Sequence, residues 1–497
     1  MTERSTTLQT PPESDATARL EAAFASVREE FAVRQGFSDE VVEEAQAAVD
    51  RPDLPERDET EIEFITIDPP GSMDLDQAMH IELVDRKGDP SGGPHHGPSD
   101  ATPGQARFRV RYAIADVPAF VAAGGATDAE VRLRGQTIYC PDTRVPLHPT
   151  VISEEAASLL PDATRPAYVW DMLLAEDGRR VGSSVYRAMV RSRRRYTYAE
   201  VQAQVDDGSA EHSLMLLQQV GRLRVARESA RGGASLPMPE QEVHVEDGRY
   251  FVRSRPVLEA EEWNAQISLL TGIVAAAMML QGRVGILRTM PPADEHSLAR
   301  FRRQATALGV DWPAEMPYGD FLRTLDRTKP SHLAVIHDAT ALFRGAGYTP
   351  FRSEIPEQTL QSAIAAPYAH VTAPLRRLVD RFGLAVCAAL DSGDPVPSWA
   401  IEALEGLPDI MNASGQQARA VERGCLDAVE AAVLETRVGE VFSAVVVDLT
   451  SSEKPIIQIA EPAIAAVAEG EAELGSAIQV RLTTADVEAR AVTFVVL

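Results

Sequence analysis

The stretch TIDPPGSMDLDQA, residues 66–78, sets Asp68, Asp74 and Asp76 just beyond the apolar run Phe64–Ile67. Hard divalent cations bind oxygen ligands, and phosphodiester hydrolysis commonly uses them to activate water and steady the leaving oxygen. A strand ending at Ile67 would position Asp68, the Pro69-Pro70-Gly71 turn would fold the chain back, and Asp74 and Asp76 would share a face if extended. Crowded carboxylates raise one another's pKa, and a bound cation reverses that penalty. The same spacing equally suits an Asp-, Pro- and Gly-rich turn whose acids are solvated.

A second candidate lies in PYAHVTAPLRR, residues 367–377. Pro374 marks a helix start, with Leu375, Leu378, Val379, Phe382 and Val386 as its buried face, which puts Arg376 in the first turn. There the exposed amides and the positive dipole end favour a phosphate. For adjacent arginines on an isolated helix, a solvated face is the commoner outcome.

These residues need a framework. Residues 14–48 carry apolar positions at helical spacing, Leu20, Phe24, Val27 and Phe31 among them, and RPDLPERDET, residues 51–60, reads as a linker. Strand patterns flank a Gly-, Pro-, His- and Ser-rich insertion at 86–106, expected to be a loose surface loop in which His95 and His96 are solvent-exposed rather than metal ligands. Long helices are expected over about 257–285, 373–391 and 410–436. From Gly439 the pattern switches to short strands, VFSAVVVDL, PIIQIA, AIQVRLTTA and ARAVTFVVL, suggesting a five-stranded barrel of the OB type. The fold class is α+β: a mixed sheet core with surrounding helices over 51–436, a helical region over 1–50 before it and the barrel over 437–497 after it.

The 497 residues carry 74 acids against 48 bases, a formal charge of −26, which argues against a general nucleic-acid coat protein. The bases are clustered, however, at Arg191, Arg193, Arg194 and Arg195 and again at Arg222, Arg224, Arg227 and Arg231. Cys140, Cys387 and Cys425 lie far apart in odd number and in no ligand spacing, so they are expected to be bystanders in a reducing cytosol. With no signal peptide and no run of some twenty apolar residues, a cytoplasmic protein without a membrane partner is expected.

Seven blocks in order resemble the RNase II/RNase R exoribonuclease family: TIDPPGSMDLDQA, YAIADV, TIYCPDTRVPLHP, RSRRRYTY, RGGASLPMPE, PYAHVTAPLRR and AVERGCLDA. The resemblance spans roughly residues 50–497 and implies an RNB catalytic domain with a terminal S1-like barrel. It also implies hydrolysis of single-stranded RNA from the 3′ end, processively, with Mg²⁺, releasing nucleoside 5′-monophosphates. On it, Asp68, Asp74 and Asp76 match the metal-binding and catalytic acids, Asp76 being the one most tied to chemistry. Arg376 matches the arginine that stabilises charge on the scissile phosphate, an effect commonly worth ~3 kcal/mol or more. Tyr139 matches the tyrosine packed on the 3′-terminal nucleotide, with Phe251 a weak candidate for the opposite wall. Tyr198, Glu422, Arg377, His370 and Arg193 match further RNA-binding positions. The protein is expected to act as a monomer without an organic cofactor.

Three departures stand out. The fourth family acid falls on Gln77, whose neutral carbonyl oxygen holds a cation less tightly. A glutamate pair of the long helix is replaced by Ser268 and Leu269 in QISLLTG. Residues 1–50 are too few for the family's usual pair of N-terminal cold-shock-type barrels. An RNA-binding protein that has lost turnover is therefore a second reading, and an acidic interaction protein a third.

Overall fold

A computed structural model of the chain describes residues 6–7, 15–84, 106–234, 240–246, 249–255, 257–326, 329–450, 452–460 and 463–497. The insertion with His95 and His96 lies outside these residues, and so does the side chain of Phe251.

The mixed sheet closes on itself. Strands β1 (Phe64–Ile67), β2 (Gln77–Leu83), β3 (Ala106–Ala115), β4 (Thr164–Ala175) and β5 (Arg180–Tyr196) form a five-stranded barrel in sequence order. Neighbours run antiparallel except at the seam, where β1 lies parallel to β5 and pairs Ile67 with Tyr196. All four residues of β1 are buried, as its unbroken apolar run requires. The seam gathers the end of β1, the start of β2 and the end of β5 on one rim: the Asp68 amide donates to the Tyr196 carbonyl at 3.0 Å, and the Ala115 amide to the Asp76 carbonyl at 2.9 Å.

Helices surround this barrel. α1 (Asp15–Glu30) and α2 (Asp39–Asp50) precede it, and α3 (Ala126–Arg134) lies in the β3–β4 connection. α4 (Tyr198–Asp207), α5 (His212–Ala230) and α6 (Glu259–Gly282) follow β5. α7 (Glu295–Ala307), α8 (Tyr318–Arg323) and α9 (Pro330–Ala339) share a satellite core in which Trp312 and Phe321 stack at 4.9 Å. An antiparallel pair, β6 (Val284–Thr289) and β7 (Gly347–Arg352), leads on to α10 (Leu378–Ser392), α11 (Ser398–Ala403) and α12 (Leu407–Leu434). By length and hydropathy α6 alone, among the described residues, could cross a membrane. Its Trp263, Ile267, Leu270 and Val274 are buried in the main core beside barrel residues and α10, which identifies it as a core helix.

The helical N-terminal region is not a separate piece. Leu20, Phe24 and Val27 of α1 pack with Val421, Cys425 and Val429 of α12, and Arg19 pairs with Glu435 at 2.7 Å. Strands β8 (Val441–Leu449), β9 (Pro455–Ala460), β10 (Ala463–Glu469), β11 (Ala477–Asp486) and β12 (Ala491–Val496) close the expected second barrel, in the order β8-β9-β10-β12-β11.

One expectation needs correction. Helix α10 begins at Leu378, not near Pro374: Arg377 is an extended N-cap, and the residues before it form a turn in which the Arg377 amide donates to Ala373 at 2.9 Å. The cause is Asp380, fully buried, which accepts the Ala373 amide at 2.7 Å and both guanidinium arms of Arg377. Arg376 therefore sits on a braced turn just outside the helix. The basic clusters are also committed internally. Arg222 and Arg227 pair with Glu259 and Asp177, buried Arg224 donates to the Gly178 carbonyl, and Arg231 donates to the Ile364 carbonyl. Arg193 and Arg195 donate to the carbonyls of Thr60 and Ser72, and Arg194 lies over Tyr196.

Candidate active site

The rim at the β1/β5 seam carries the acids. Asp76, immediately before β2, is 4 % exposed. It accepts the Leu375 amide at 2.8 Å, and its other oxygen faces Arg376 Nε at 3.4 Å. The Arg376 side chain remains half-exposed, so it is free to meet a second anion. Burial pushes the Asp76 carboxyl well above the ordinary range, against the opposing pull of Arg376 and the Leu375 amide. Burial likewise pushes Asp68 up to about 7, with the Asp74 charge adding to the effect and Arg376 opposing it. Arg376 thus acts on both Asp68 and Asp76, and the Asp74 charge acts on both as well.

Asp74 is held by two groups from the hairpin Ile138–Tyr139/Arg144–Val145: the Arg144 guanidinium pairs with one oxygen, and the Tyr139 hydroxyl donates to the other at 3.3 Å. Arg144 also binds Glu154 at 2.7 Å. Tyr139 is 50 % exposed, an open aromatic face beside the acids. The hairpin is anchored to the Arg376 turn, since the Thr137 amide donates to the Arg376 carbonyl at 2.9 Å and the Leu378 amide to Gly135. Buried His148 braces the same turn from below, its Nδ1 3.0 Å from the Leu375 carbonyl. Arg144 and His148 stand inside the quoted TIYCPDTRVPLHP block, but no local pattern identifies their partners.

Gln77 is occupied on both ends. Its amide donates to the Thr372 carbonyl at 2.7 Å, tying β2 to the Arg376 segment. Its oxygen accepts from the Tyr112 hydroxyl, which in turn lies 2.8 Å from Ser268 Oγ. The two departures from the family pattern, Gln77 and Ser268, therefore meet through Tyr112. The result is a neutral hydrogen-bonded strut between β2, β3 and α6.

Tyr198 opens α4 behind a Thr197–Glu200 capping box and accepts from Asn264 at 3.2 Å, with Asp68 near enough for its charge to add to the burial that raises the phenol's pKa. His370, Arg377 and Glu422 do not join the acid rim. They line an adjoining cavity of about 580 Å³ with Gln136, Arg288, Tyr348 and Arg419. There Tyr348 Oη lies 2.8 Å from His370 Nδ1, and burial, aided by Arg377 and Arg288, holds that imidazole neutral. The Arg193 guanidinium is turned to the Thr60 carbonyl at 2.7 Å.

For a divalent cation, the donor chemistry is suitable, with three carboxyl groups on one rim, though a cation would have to displace the proton that burial favours on Asp68 and Asp76. As the side chains stand, Asp74 and Asp76 are turned to arginines, and among the described residues no group of three His, Cys, Asp or Glu side chains is gathered to hold a metal.

A barrel rim of buried acids facing an arginine, followed by a small terminal barrel, defines a class. The RNB domain model matches residues 56–383, and the RNase II-type exonuclease C-terminal S1 domain model matches residues 440–497. This chain belongs to the RNB-domain family. It is 28% identical to Ribonuclease R of Escherichia coli (strain K12) over 367 residues, covering 69% of this chain and 40% of that protein. It is 25% identical to the probable exosome complex exonuclease RRP44 of Caenorhabditis elegans over 365 residues, 69% of this chain and 35% of that protein. The chain thus spans between a third and a half of the length of these relatives. In fold it is similar to Mycoplasma genitalium RNase R in complex with ribose methylated single-stranded RNA, with a TM-score of 0.82 at 17% identity over 96% of this chain and 78% of that one. It is also similar to yeast Ssd1, a pseudonuclease, with a TM-score of 0.64 at 16% identity over 86% and 53%.

Proposed function

We propose that the chain is a 3′-to-5′ exoribonuclease that removes nucleoside 5′-monophosphates processively from single-stranded RNA, as a cytoplasmic monomer using Mg²⁺ and no organic cofactor. In this reading residues 51–436 are the catalytic unit and 437–497 an S1-like barrel. The observation that carries it is the buried Asp76 held 3.4 Å from half-exposed Arg376, on a rim shared with Asp68, Asp74 and the open face of Tyr139. Arg376 meets the scissile phosphate, where its charge counts most as negative charge develops. Tyr139 stacks on the terminal base, an interaction typically worth ~1–3 kcal/mol. Tyr198 and the Glu422 cavity receive the neighbouring nucleotides.

Asp68, Asp74 and Asp76 are the residues that would hold the cation, which when bound would supply the positive charge that lowers the pKa of an attacking water. Asp74 would then have to leave Arg144, so the Arg144 contact competes with metal for that oxygen. Gln77 has its oxygen already engaged by Tyr112 and acts as a brace for the Arg376 turn.

That engagement of Gln77 also favours a second reading, an RNA-binding protein with weak or no turnover. A labelled oligonucleotide incubated with and without Mg²⁺ decides between them. A Mg²⁺-dependent ladder of mononucleotide release supports the enzyme. Tight, salt-sensitive binding without release supports the binder, because phosphate contacts weaken with salt in either case. No binding at low salt would leave the acidic interaction protein.

A further inference from the structure

Two of the three thiols are brought together by the fold. Cys140 closes the first strand of the hairpin that carries Tyr139 and Arg144, and Cys425 lies on α12, one helical turn after Glu422. Cys425 is 1 % exposed in the cluster that joins α1 to α12, and half-buried Cys140 packs against that same cluster. The two thiols lie close enough that each is the first cause of the shift in the other's pKa, and the Arg28 guanidinium, which holds Asp142 at 2.7 Å, acts on Cys140 as well. Cys387, by contrast, is buried in α10 with its thiol turned to the Ala275 carbonyl.

We propose that Cys140 and Cys425 form a reversible oxidation site, with Cys140 as the attacking thiol and Cys425 as the resolving one, whose disulfide pins the Tyr139/Arg144 hairpin to α12. Cys140 is the member with solvent access and the adjacent cation. The neighbouring Cys425 thiol, the first cause, and Arg28 draw the Cys140 thiol downward against burial, which favours the thiolate. With a hydroperoxide as oxidant, the Cys140 thiolate attacks the terminal oxygen, the O–O bond breaks, and the alkoxide leaves with a proton as alcohol. The Cys425 sulfur then attacks the Cys140 sulfenic acid, the S–S bond forms, the S–O bond breaks, and hydroxide leaves with the Cys425 proton as water. Two thiols lose two electrons and the hydroperoxide gains them. A dithiol reductant reverses the bond by exchange.

The position of the pair matters because the hairpin supplies both groups that hold Asp74, and Cys425 lies one helical turn from Glu422, which lines the adjoining cavity. Fixing the hairpin against α12 moves Tyr139 relative to Asp74. Small misplacements at a reacting centre cost large factors in rate.

The test uses the full chain treated with an alkyl hydroperoxide, with free thiols counted and peptides mapped by mass spectrometry. The expected result is loss of two of the three thiols, a cross-linked peptide pair containing Cys140 and Cys425, and full reversal by dithiothreitol. Cys140→Ser, at a half-exposed position, should show no cross-link while its folding and basal thiol chemistry at Cys387 stay unchanged. A Cys140 that proceeds to sulfinic acid without the link, or a link involving Cys387, overturns the proposal. The mapping requires no nuclease activity, so it stands or falls separately from the exoribonuclease reading. Where RNA trimming is measured, the oxidised protein should be about tenfold slower and Cys140→Ser insensitive; a cross-linked protein that trims at the reduced rate overturns the coupling to the site.

Discussion

The described residues contain two closed five-stranded barrels, and they are put to different ends. In the first, the β1–β2 connection returns across the mouth with Asp68, Asp74 and Asp76, and a segment some three hundred residues downstream in sequence reaches the same rim with Leu375 and Arg376, as in the Leu375–Asp76 bond at a separation of 299. Burial pushes the carboxyls of Asp68 and Asp76 upward. In the terminal barrel the exposed acids Glu469, Glu471 and Glu473 stand in or beside a short turn. Its two aromatics, Phe442 and Phe494, meet edge to face at 5.8 Å inside the core, so no ring remains outside for a base to stack on. Barrel closure solves the problem of edge strands in both cases. What separates them is whether distant chain is brought over the rim to bury charge.

The sharpest way to break this contrast is Asp76→Asn. The amide oxygen still accepts the Leu375 amide, so the fold should hold, while the charge facing Arg376 is lost. Turnover should fall about 10²–10³-fold with RNA binding retained. If product release continues at the wild-type rate, Asp76 is not part of the chemistry.

Gln77→Leu tests the strut. It removes the donor to Thr372 and the acceptor for Tyr112 together, leaving a buried carbonyl and a hydroxyl short of partners, which typically costs about 1–3 kcal/mol. Thermal unfolding should register that loss, and trimming should slow because the Arg376 turn loosens. A variant as stable as wild type would show that Gln77 braces nothing. Gln77→Asp separates brace from ligand: on the strut reading it weakens the fold without lowering the Mg²⁺ requirement, so a lower requirement in a titration would return Gln77 to the metal shell.

How much of this could be read from the chain is uneven, and the reasons are physical. The unbroken apolar run of β1 and the acids after it are local features, and so is the alternation of the terminal barrel, because period-two patterning is set residue by residue. The start of α10 is misplaced because Asp380 reaches back to Ala373 and Arg377, a side-chain interaction that overrides the Pro374 signal. The partners of the clustered arginines are not legible either, because spacing reports which residues are close in sequence and not which carbonyls they will meet. Arg144 with Asp74, Gln77 with Ser268 and Cys140 with Cys425 are all closed by the tertiary fold, so no window of sequence contains them.

His148 offers a test by pH. Burial, the first cause, depresses its pKa to about 3, against the Leu375 hydrogen bond that favours the charged form, whereas in the unfolded chain it titrates near ~6.5. The neutral imidazole's contribution to stability is fully present above the unfolded value and is lost as pH falls from there toward 3, since the unfolded state alone binds the proton in that window. The slope from this one group is about 1.4 kcal/mol per pH unit. Urea unfolding at pH 7 and pH 5 should show a shallower pH dependence for His148→Gln than for wild type. Parallel dependences would mean the site is wetter than its burial implies.

The smallest effects return to the two barrels. Tyr139→Ala removes the exposed ring beside Asp74 and should weaken the hold on short products by ~1–3 kcal/mol, changing the length of the final remnant. Arg481, exposed on β11, is among the few bases the terminal barrel offers to a phosphate. With no aromatic beside it to order a strand, its removal should leave RNA affinity within about 0.5 kcal/mol, the range of an ordinary surface substitution. Oligonucleotide binding at fixed low salt measures both. Should Arg481→Ala match or exceed the loss from Tyr139→Ala, RNA is being held on the terminal barrel, and the distinction between a barrel that works and a barrel that only packs would have to be redrawn.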